Sequence, residues 1–240
     1  MTLSVILPAY NEARRLPASL SRCAEFFRSL AATTEIIVAD DGSTDDTRHV
    51  VGSAALELAS PRFEVHYLPL PHRGKGAAVR AGILAARGDP VLFLDADLTI
   101  PVEVVDRLLD ALRAGADIAV ASRYVPGSVV RRPLLRRSMS HAFRALVRVL
   151  VPTGLEDTQC GGKAYTAEAA RALFTRQYID GFAFDAEVLY LATRHGYRVT
   201  EVPFVLGDEN DSSVRLLADI PRMIRDLIRI RIRATRGGYR

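Results

Sequence analysis

The sequence predicts an α/β protein with a mostly parallel central sheet and helices on both faces. In the first half of the chain, apolar strand-like segments alternate with amphipathic helical segments, which is the order of repeated βα units. The chain has 240 residues, of which 49% are hydrophobic and 25% charged. These values suit one globular domain, or one domain with a small appendage, that buries a full core.

The first half contains five predicted strands and four predicted helices. The strands are LSVILPA, EIIVAD, FEVHYL, PVLFLD and DIAVAS, at residues 3–9, 35–40, 63–68, 90–95 and 117–122. The helices lie between the strands. The first spans residues 14–31, the second begins at capping residues 43–46 and ends at about 58, and the others span 74–87 and 102–114. Because parallel strands need crossover connections, this alternation favours a doubly covered sheet.

The second half is less regular. A basic helix is predicted over residues 131–151, and DTQCGGKAY at 157–165 reads as a loop leading into a short strand. A helix at 184–195, the strand YRVTEVPF at 197–204, a polar loop at 207–213 and a terminal helix at 219–235 follow.

Cysteine usage and the N-terminal sequence restrict the cellular setting. Cys23 and Cys160 form neither a disulfide framework nor a zinc-binding spacing, which favours a reduced, cytosolic protein. The N-terminus lacks the basic region and cleavage site of a signal peptide, and it is the longest stretch free of charge and histidine, at only eleven residues. We therefore expect no membrane-spanning segment.

The formal charge of +4 is distributed unevenly. Six arginines and no acid lie between Arg131 and Arg148, and eight arginines and two aspartates lie from Arg215 to the end. Two basic segments on a more acidic body indicate an anionic surface partner. Solvated helix faces would explain the same pattern.

Polar residues follow each of the first five strands. They are PAYNE at 8–12, Asp40-Asp41-Gly42-Ser43, the run HRGKGAAVRAG at 72–82, Asp95-Ala96-Asp97, and Ser122-Arg123. In a parallel sheet these loops converge on one edge, where ligands of such sheets bind. The sequence therefore predicts a binding site at that edge.

The residue types in these loops suit a metal-bridged nucleoside diphosphate. Gly74-Lys75-Gly76 at a helix start supplies backbone N–H groups and an ammonium for phosphate, without the Walker A spacing. Asp95 and Asp97 supply hard oxygen ligands for Mg²⁺ or Mn²⁺. Asp41 or Glu12 could accept hydrogen bonds from a base or ribose.

The motifs PAYNE, DDGS, GKGAAVRAG and DADL, in this order, resemble those of the inverting family-2 glycosyltransferases with the GT-A fold. The later segments DTQCGGKAY and GFAFDAEVLY resemble the dolichyl- or polyprenyl-phosphate glucose and mannose synthases, with the glucose branch nearer. The resemblance covers about residues 1–205. It implies a GT-A catalytic domain at 1–212, with a nucleotide-sugar-binding half at 1–123 and an acceptor half at 124–212, followed by a basic amphipathic helix at 213–240.

The resemblance also implies roles for individual residues of the first half. The donor-binding residues would be Pro8, Ala9, Tyr10 and Glu12 around the base and ribose, Asp41 at the base, Lys75 near the pyrophosphate, and Asp95-Ala96-Asp97 at the metal and sugar nucleotide. Asp95 and Asp97 would be the metal ligands.

The resemblance implies six catalytic residues, one at the end of the first half and five in the second: Arg123, Asp157, Gln159, Lys163, Asp185 and Glu187. Arg123 and Lys163 would hold an acceptor phosphate, and Asp157 or Asp185 would be the base for a neutral acceptor. Alternatively, Asp157 braces its loop, while Asp185 and Glu187 only favour a helix dipole. Gly162 departs from the family pattern, which has an aromatic residue there, and we expect a looser sugar pocket.

The implied activity is transfer of a hexose, glucose from UDP-glucose, to a polyprenyl or dolichyl phosphate with inversion at the anomeric carbon. GDP-mannose with the same lipid, or a UDP-sugar with a soluble or polysaccharide acceptor, are the alternatives. A basic membrane- or nucleic-acid-binding protein without activity is disfavoured because DADL and GKG are intact.

The two basic helices predict peripheral contact with an anionic membrane, at the cytoplasmic inner face of the cell membrane. In the first, the apolar stripe is Leu134, Leu135, Met139, Phe143, Leu146, Val147 and Leu150. The alternatives are a core stripe with a solvated face, or a homodimer interface. Nucleic acid is not expected, because the basic segments lack interleaved aromatic residues.

Overall fold

The computed structural model describes residues 2–30, 32–131, 134–208 and 216–239, with side chains left undescribed at 131–139 and 207–218. These residues form nine strands: β1 Thr2–Ala9, β2 Thr33–Asp40, β3 Phe63–Pro69, β4 Val91–Leu94, β5 Ile118–Ser122, β6 Val129–Arg131, β7 Gly162–Tyr165, β8 Val199–Pro203 and β9 Val205–Asp208. They form eight helices: α1 Leu16–Ser29, α2 Thr47–Glu57, α3 Lys75–Ala85, α4 Val104–Arg113, α5 Leu134–Leu150, α6 Ala167–Arg176, α7 Phe184–Arg194 and α8 Leu216–Thr235.

Seven strands form the central sheet, in the order β3-β2-β1-β4-β7-β5-β8. All neighbouring pairs are parallel except the two made by β7, which runs antiparallel to β4 and β5. The mostly parallel sheet predicted from the sequence is therefore confirmed. The antiparallel β7 follows from tertiary pairing alone, because its four residues carry no signal of strand direction.

The core lies on both faces of the sheet. Leu3, Val5 and Leu7 of β1 point into one apolar cluster with α1 and α4, while Ile6 points into a second cluster with α3, α6 and α7. Alternate residues of a strand face opposite sides, so a strand covered on both faces reads as a continuous apolar run. Seven of the eight residues of β1 are buried.

The remaining predicted elements are present, with ends that differ by a few residues, but three elements were missed. Helix α6 was overlooked although Thr166 caps it by accepting a hydrogen bond from the Ala169 N–H. Strands β6 and β9 form a separate parallel pair. They are too short and too distant in sequence to be recognised locally. The predicted polar loop at 207–213 begins inside β9, and its residues 209–213 lie outside the described residues.

Helix α8 packs against α5 and α7. Leu227, Ile230 and Ala234 of α8 are buried in the second core cluster, so the helix is part of the packed body. The proposed boundary at 212–213 lies outside the described residues. Among the helices that the structure describes, none is long and apolar enough to cross a membrane.

Candidate active site

A cleft of about 1390 Å³ lies at the carboxyl ends of β1, β2, β3 and β4. From the sheet edge it is lined by residues 8–12, Asp41, residues 72–75 and residues 95–97. All nine donor-binding residues predicted from the sequence lie on this lining. The predicted convergence of the first four strand ends is therefore confirmed, whereas Ser122 and Arg123 after β5 do not line the cleft, because β7 separates β5 from β4.

Loops after β1 and β2 hold each other in place. The Asn11 side-chain oxygen accepts a hydrogen bond from the Thr44 N–H at 2.8 Å, and the Asn11 N–H donates to the Ser43 hydroxyl at 2.8 Å. The Glu12 carboxylate accepts from the Arg15 guanidinium at 2.6 and 2.7 Å. Burial raises the pKa of Glu12 despite this pairing.

Asp41 organises the phosphate turn, residues 73–77, which begins α3. Its carboxylate accepts hydrogen bonds from the Arg73 N–H at 2.8 Å and the Gly74 N–H at 2.9 Å. Gly74 has a φ of +127°, a conformation that favours glycine. Since both Asp41 oxygens are engaged with backbone, Asp41 holds the turn in addition to facing the cleft.

Lys75 and Asp95 form an ion pair at the centre of the cleft, with Lys75 Nζ 2.5 Å from Asp95 Oδ1. Burial disfavours the ammonium, but Asp95 and then Asp185 outweigh burial and raise the pKa of Lys75. Asp97 accepts from the Thr99 N–H at 3.0 Å, and its second oxygen lies 3.7 Å from Arg15 Nη1. Each carboxylate of the Asp95–Asp97 pair thus has a cation within 3.7 Å.

Asp95 and Asp97 fit a divalent metal that takes further ligands from a substrate. Their side chains are 27% and 14% exposed, and carboxylate oxygens suit Mg²⁺ or Mn²⁺. No group of three or more His, Cys, Asp or Glu side chains that could hold a metal occurs among the described residues. A metal on this pair would therefore need oxygen ligands from water and a diphosphate, which is how Mg²⁺ commonly binds.

Gly161, just before β7, lies so close to the Asp95 carboxylate that only a residue without a side chain fits there. A Cβ atom placed on Gly161 would lie 2.0 Å from Asp95 Oδ2, far inside contact distance. The antiparallel course of β7 brings this glycine to the edge where β4 ends. A Cβ atom on its neighbour Gly162 would lie 3.3 Å from Ala121 and 3.4 Å from Ile100 in the core, and Gly162 does not line the cleft. The looser sugar pocket expected from Gly162 stays a prediction.

Behind the cleft, Arg123 and Asp157 form a buried pair. Arg123 Nε and Nη2 donate to the two Asp157 oxygens at 2.6 and 2.7 Å, and Asp157 is 2% exposed. Burial of Asp157 opposes ionisation, but Arg123 outweighs burial and holds the pKa of Asp157 below its usual value. This geometry favours the bracing role for Asp157, with Arg123 as its partner.

Lys163 and Asp185 form a second buried pair. Lys163 is 0% exposed, and its Nζ donates to Asp185 Oδ1 at 2.5 Å and to the Cys160 carbonyl at 2.5 Å. Burial raises the pKa of Asp185 despite Lys163. Lys75 Nζ and Lys163 Nζ lie 5.3 and 5.6 Å from the Phe93 ring centroid, so this pair lies next to the Lys75–Asp95 pair.

The six residues predicted as catalytic do not line the cleft. Glu187 is fully buried, and its carboxylate accepts hydrogen bonds from the Ile179 N–H and from the Tyr239 hydroxyl, contacts that the dipole alternative did not foresee. Gln159 Nε2 is buried with no hydrogen-bond partner among the described residues, so it retains a free donor. Their catalytic roles stay predictions; in this structure Arg123 is paired with Asp157, and Lys163 with Asp185.

Sequence reasoning missed two parts of the cleft. One is the wall segment, residues 177–182, between α6 and α7, and the other is a set of α8 residues that includes Arg222, Arg225 and Arg229. It also missed the stacking of Tyr10 on His72, with ring centroids 4.3 Å apart. Arg73 could have been predicted as a cleft residue, because it directly precedes Gly74-Lys75-Gly76 in the sequence. The wall segment could not, because only tertiary packing places it at the cleft.

The profile of glycosyl transferase family 2 matches residues 4–180. The chain belongs to glycosyl transferase family 2. The dolichyl-phosphate beta-glucosyltransferase of Drosophila melanogaster is 36% identical over 100% of this chain and 77% of that protein. The Dictyostelium discoideum dolichyl-phosphate beta-glucosyltransferase is 35% identical over 98% of this chain and 75% of that protein. This family-2 chain is therefore a glycosyltransferase, as its motifs implied.

A solved structure shows the same fold at lower identity. Glucosyl-3-phosphoglycerate synthase from Mycobacterium tuberculosis, in complex with Mn²⁺, UDP and glucosyl-3-phosphoglycerate, has a TM-score of 0.66 and 20% identity. The match covers 97% of this chain and 79% of that one. The GT-A fold predicted for the family-2 chain is confirmed, and divalent metals accompany UDP in such neighbours.

Proposed function

We propose that this chain transfers glucose from UDP-glucose to a polyprenyl or dolichyl phosphate, with inversion at the anomeric carbon. The observation that supports it is the cleft in which Lys75, the phosphate turn and the Asp95–Asp97 pair converge. The relatives that cover nearly the whole chain are named dolichyl-phosphate beta-glucosyltransferases, which favours glucose and a lipid phosphate.

In this reaction, an acceptor phosphate oxygen bonds to the anomeric carbon as the bond from that carbon to the diphosphate oxygen breaks. Asp95 and Asp97 would hold Mg²⁺ or Mn²⁺, which stabilises the negative charge of the leaving diphosphate. Lys75 adds a fixed ammonium, and the start of α3 adds backbone N–H groups. Because the acceptor is already anionic, the chain needs no strong general base.

The buried pairs would position these groups. Arg123–Asp157 and Lys163–Asp185 are both held in the interior, so they fix the loops around β7 and α7. Preorganised charges accelerate a reaction because they need not reorient as charge develops. The Gln159 Nε2 group is buried without a hydrogen-bond partner among the described residues, and Gln159 does not line the cleft, so a role for it would be to hold its loop.

We also propose peripheral contact with an anionic membrane on the cytoplasmic side, through α8. Ile228 and Ile232 of α8 are each 44% exposed, and Arg225, Arg229 and Arg231 lie beside them. A basic helix with exposed apolar residues suits the headgroup region. Helix α5 differs, because four residues of its apolar stripe pack on the core: Phe143, Leu146, Val147 and Leu150. This packing favours the core-stripe alternative for α5. The stripe residues Leu134, Leu135 and Met139 lie in the part of α5 whose side chains the structure does not describe.

The decisive experiment is a panel of radiolabelled UDP- and GDP-sugars, each incubated with polyprenyl phosphate or glycerol-type soluble phosphates. We expect lipid-soluble label from UDP-glucose with polyprenyl phosphate, and only in the presence of Mg²⁺ or Mn²⁺. Lipid-soluble label from GDP-mannose would refute the proposed donor. Label in a soluble product would refute the proposed acceptor.

The Asp97→Asn variant tests the metal site in the same assay. We expect kcat/KM to fall by about a thousandfold, because one of two anionic ligands is lost. Asp110→Asn is the matched control, since Asp110 is 71% exposed on α4, outside the cleft. Wild-type activity in folded Asp97→Asn would contradict the metal-site assignment.

A further inference from the structure

The last turn of the chain is tied to the cleft wall through one buried carboxylate. Tyr239 is 2% exposed, and its hydroxyl donates to Glu187 Oε1 at 2.5 Å. Glu187 also accepts from the Tyr178 N–H at 3.0 Å and the Ile179 N–H at 2.7 Å. Since three donors converge on one carboxylate, the positions of the wall segment and the C-terminus depend on each other.

The wall segment is in turn bonded to the phosphate turn. The Asp180 carbonyl accepts from the Ala77 N–H at 3.1 Å, and Gln177 Nε2 donates to the Gly76 carbonyl at 2.9 Å. Arg73 Nη2 donates to Asp180 Oδ2 at 2.7 Å. A Cβ atom on Gly76 would lie 2.8 Å from the Ile179 carbonyl oxygen, so the two segments are in close contact.

The terminal turn, residues 236–239, directs the Tyr239 side chain into the protein interior. Gly237 has a φ of +75°, and the Gly238 N–H donates to the Arg233 carbonyl at 3.0 Å. The Arg233 guanidinium lies 4.6 Å from the Tyr178 ring centroid and 5.4 Å from that of Tyr239. Cation–π contacts of this kind join the terminal turn to the wall segment a second time.

We propose that Glu187 and Tyr239 are positioning residues for the nucleoside diphosphate of the donor. Neither lines the cleft, and both act through the wall segment, which holds the phosphate turn and thereby Lys75. The identity of this ligand rests on the proposed function. The turn after α8 thus supports the donor site through the wall segment, and Glu187 serves the reaction without touching a substrate.

The test is Tyr239→Phe, which removes one hydroxyl and keeps the ring. UDP binding in the presence of Mn²⁺ is measured by calorimetry, together with KM and kcat for UDP-glucose. We expect the UDP Kd and the donor KM to rise about tenfold, because a wall segment that is held less firmly must be ordered again when UDP binds. We expect kcat to change less than about threefold, since the reacting groups are intact.

Tyr190→Phe is the matched control. Tyr190 lies on α7 and packs against the Tyr239 ring, but its hydroxyl accepts a hydrogen bond from Arg194, whereas the Tyr239 hydroxyl donates to Glu187. We expect its UDP Kd to equal the wild-type value. A folded Tyr239→Phe variant with wild-type Kd and KM, even if it melts at a lower temperature, would show a purely structural contact and overturn the proposal.

Hydrogen exchange separates this inference from the choice of donor. If the wild-type protein binds no UDP, the proposed donor is wrong, and the link itself is then tested by exchange at the Tyr178 and Ile179 amides. We expect about tenfold faster exchange there in Tyr239→Phe and no change in Tyr190→Phe. Unchanged exchange in Tyr239→Phe would overturn the link whatever the donor.

Discussion

Replacing Asp157 with asparagine should destabilise the protein strongly, because it leaves Arg123 buried without a counter-charge. Asp157 is 2% exposed, and the Arg123 side chain is 16% exposed. Removing one partner of a buried pair costs about 3–5 kcal/mol. Because Arg123 retains some contact with solvent, we expect the lower end, about 3 kcal/mol. For a chain of this size that loss lowers the Tm by about 6–12 °C.

The assay is urea unfolding followed by circular dichroism, with Asp110→Asn as the control. Asp110 pairs with Arg113 at 2.7 Å, but the two side chains are 71% and 64% exposed. Exposed pairs contribute about 0.2–1 kcal/mol, so this control should lose little. Equal losses in the two variants would refute the conclusion that burial gives the Arg123–Asp157 pair its importance.

The pH dependence gives a second measurement on the same variant. The folded-state pKa of Asp157 lies below its unfolded value of about 3.9, so its contribution is complete above that pH. The contribution is lost as the pH falls through the folded pKa. The difference in unfolding free energy between wild type and Asp157→Asn should therefore be constant from about pH 5 to 7 and shrink only in stronger acid.

Two further predictions concern the cleft floor and α8. Gly161→Ala should lower kcat/KM for transfer by at least about a hundredfold, since its Cβ would displace the Asp95 carboxylate. Gly52→Ala, whose Cβ meets nothing within 4 Å, should be fully active, and an active Gly161→Ala enzyme would show that Asp95 tolerates displacement. The protein should bind anionic vesicles in sedimentation assays, and the bound fraction should fall at high salt. The Ile228→Ser/Ile232→Ser double variant should bind these vesicles less than the wild type does. Leu56→Ser, at an 85% exposed site on α2, should bind as wild type. Equal binding to neutral vesicles would contradict an electrostatic contact, and dimerisation that the double variant abolishes would assign this face to a second copy of the chain.

The first-half loops could be predicted from sequence because each follows a strand whose apolar run is visible locally. Parallel strands bring their carboxyl ends to one edge, so Glu12, Asp41, Lys75 and the Asp95–Asp97 pair had to meet once the strands were assigned. The motif order then identified the family. Both inferences use short-range patterns and a general rule of sheet geometry.

The second half of the site was decided by tertiary structure. Whether Arg123 and Lys163 face a substrate phosphate or a buried carboxylate depends on the insertion of β7 between β4 and β5, which no local pattern encodes. The same holds for Glu187, which lies at a helix start in the sequence but becomes the acceptor for Tyr239 only when the chain end folds back. Sequence spacing determined which side chains reach the sheet edge. Long-range packing determined which charges remain available there, because a buried charge is stable only when it is paired.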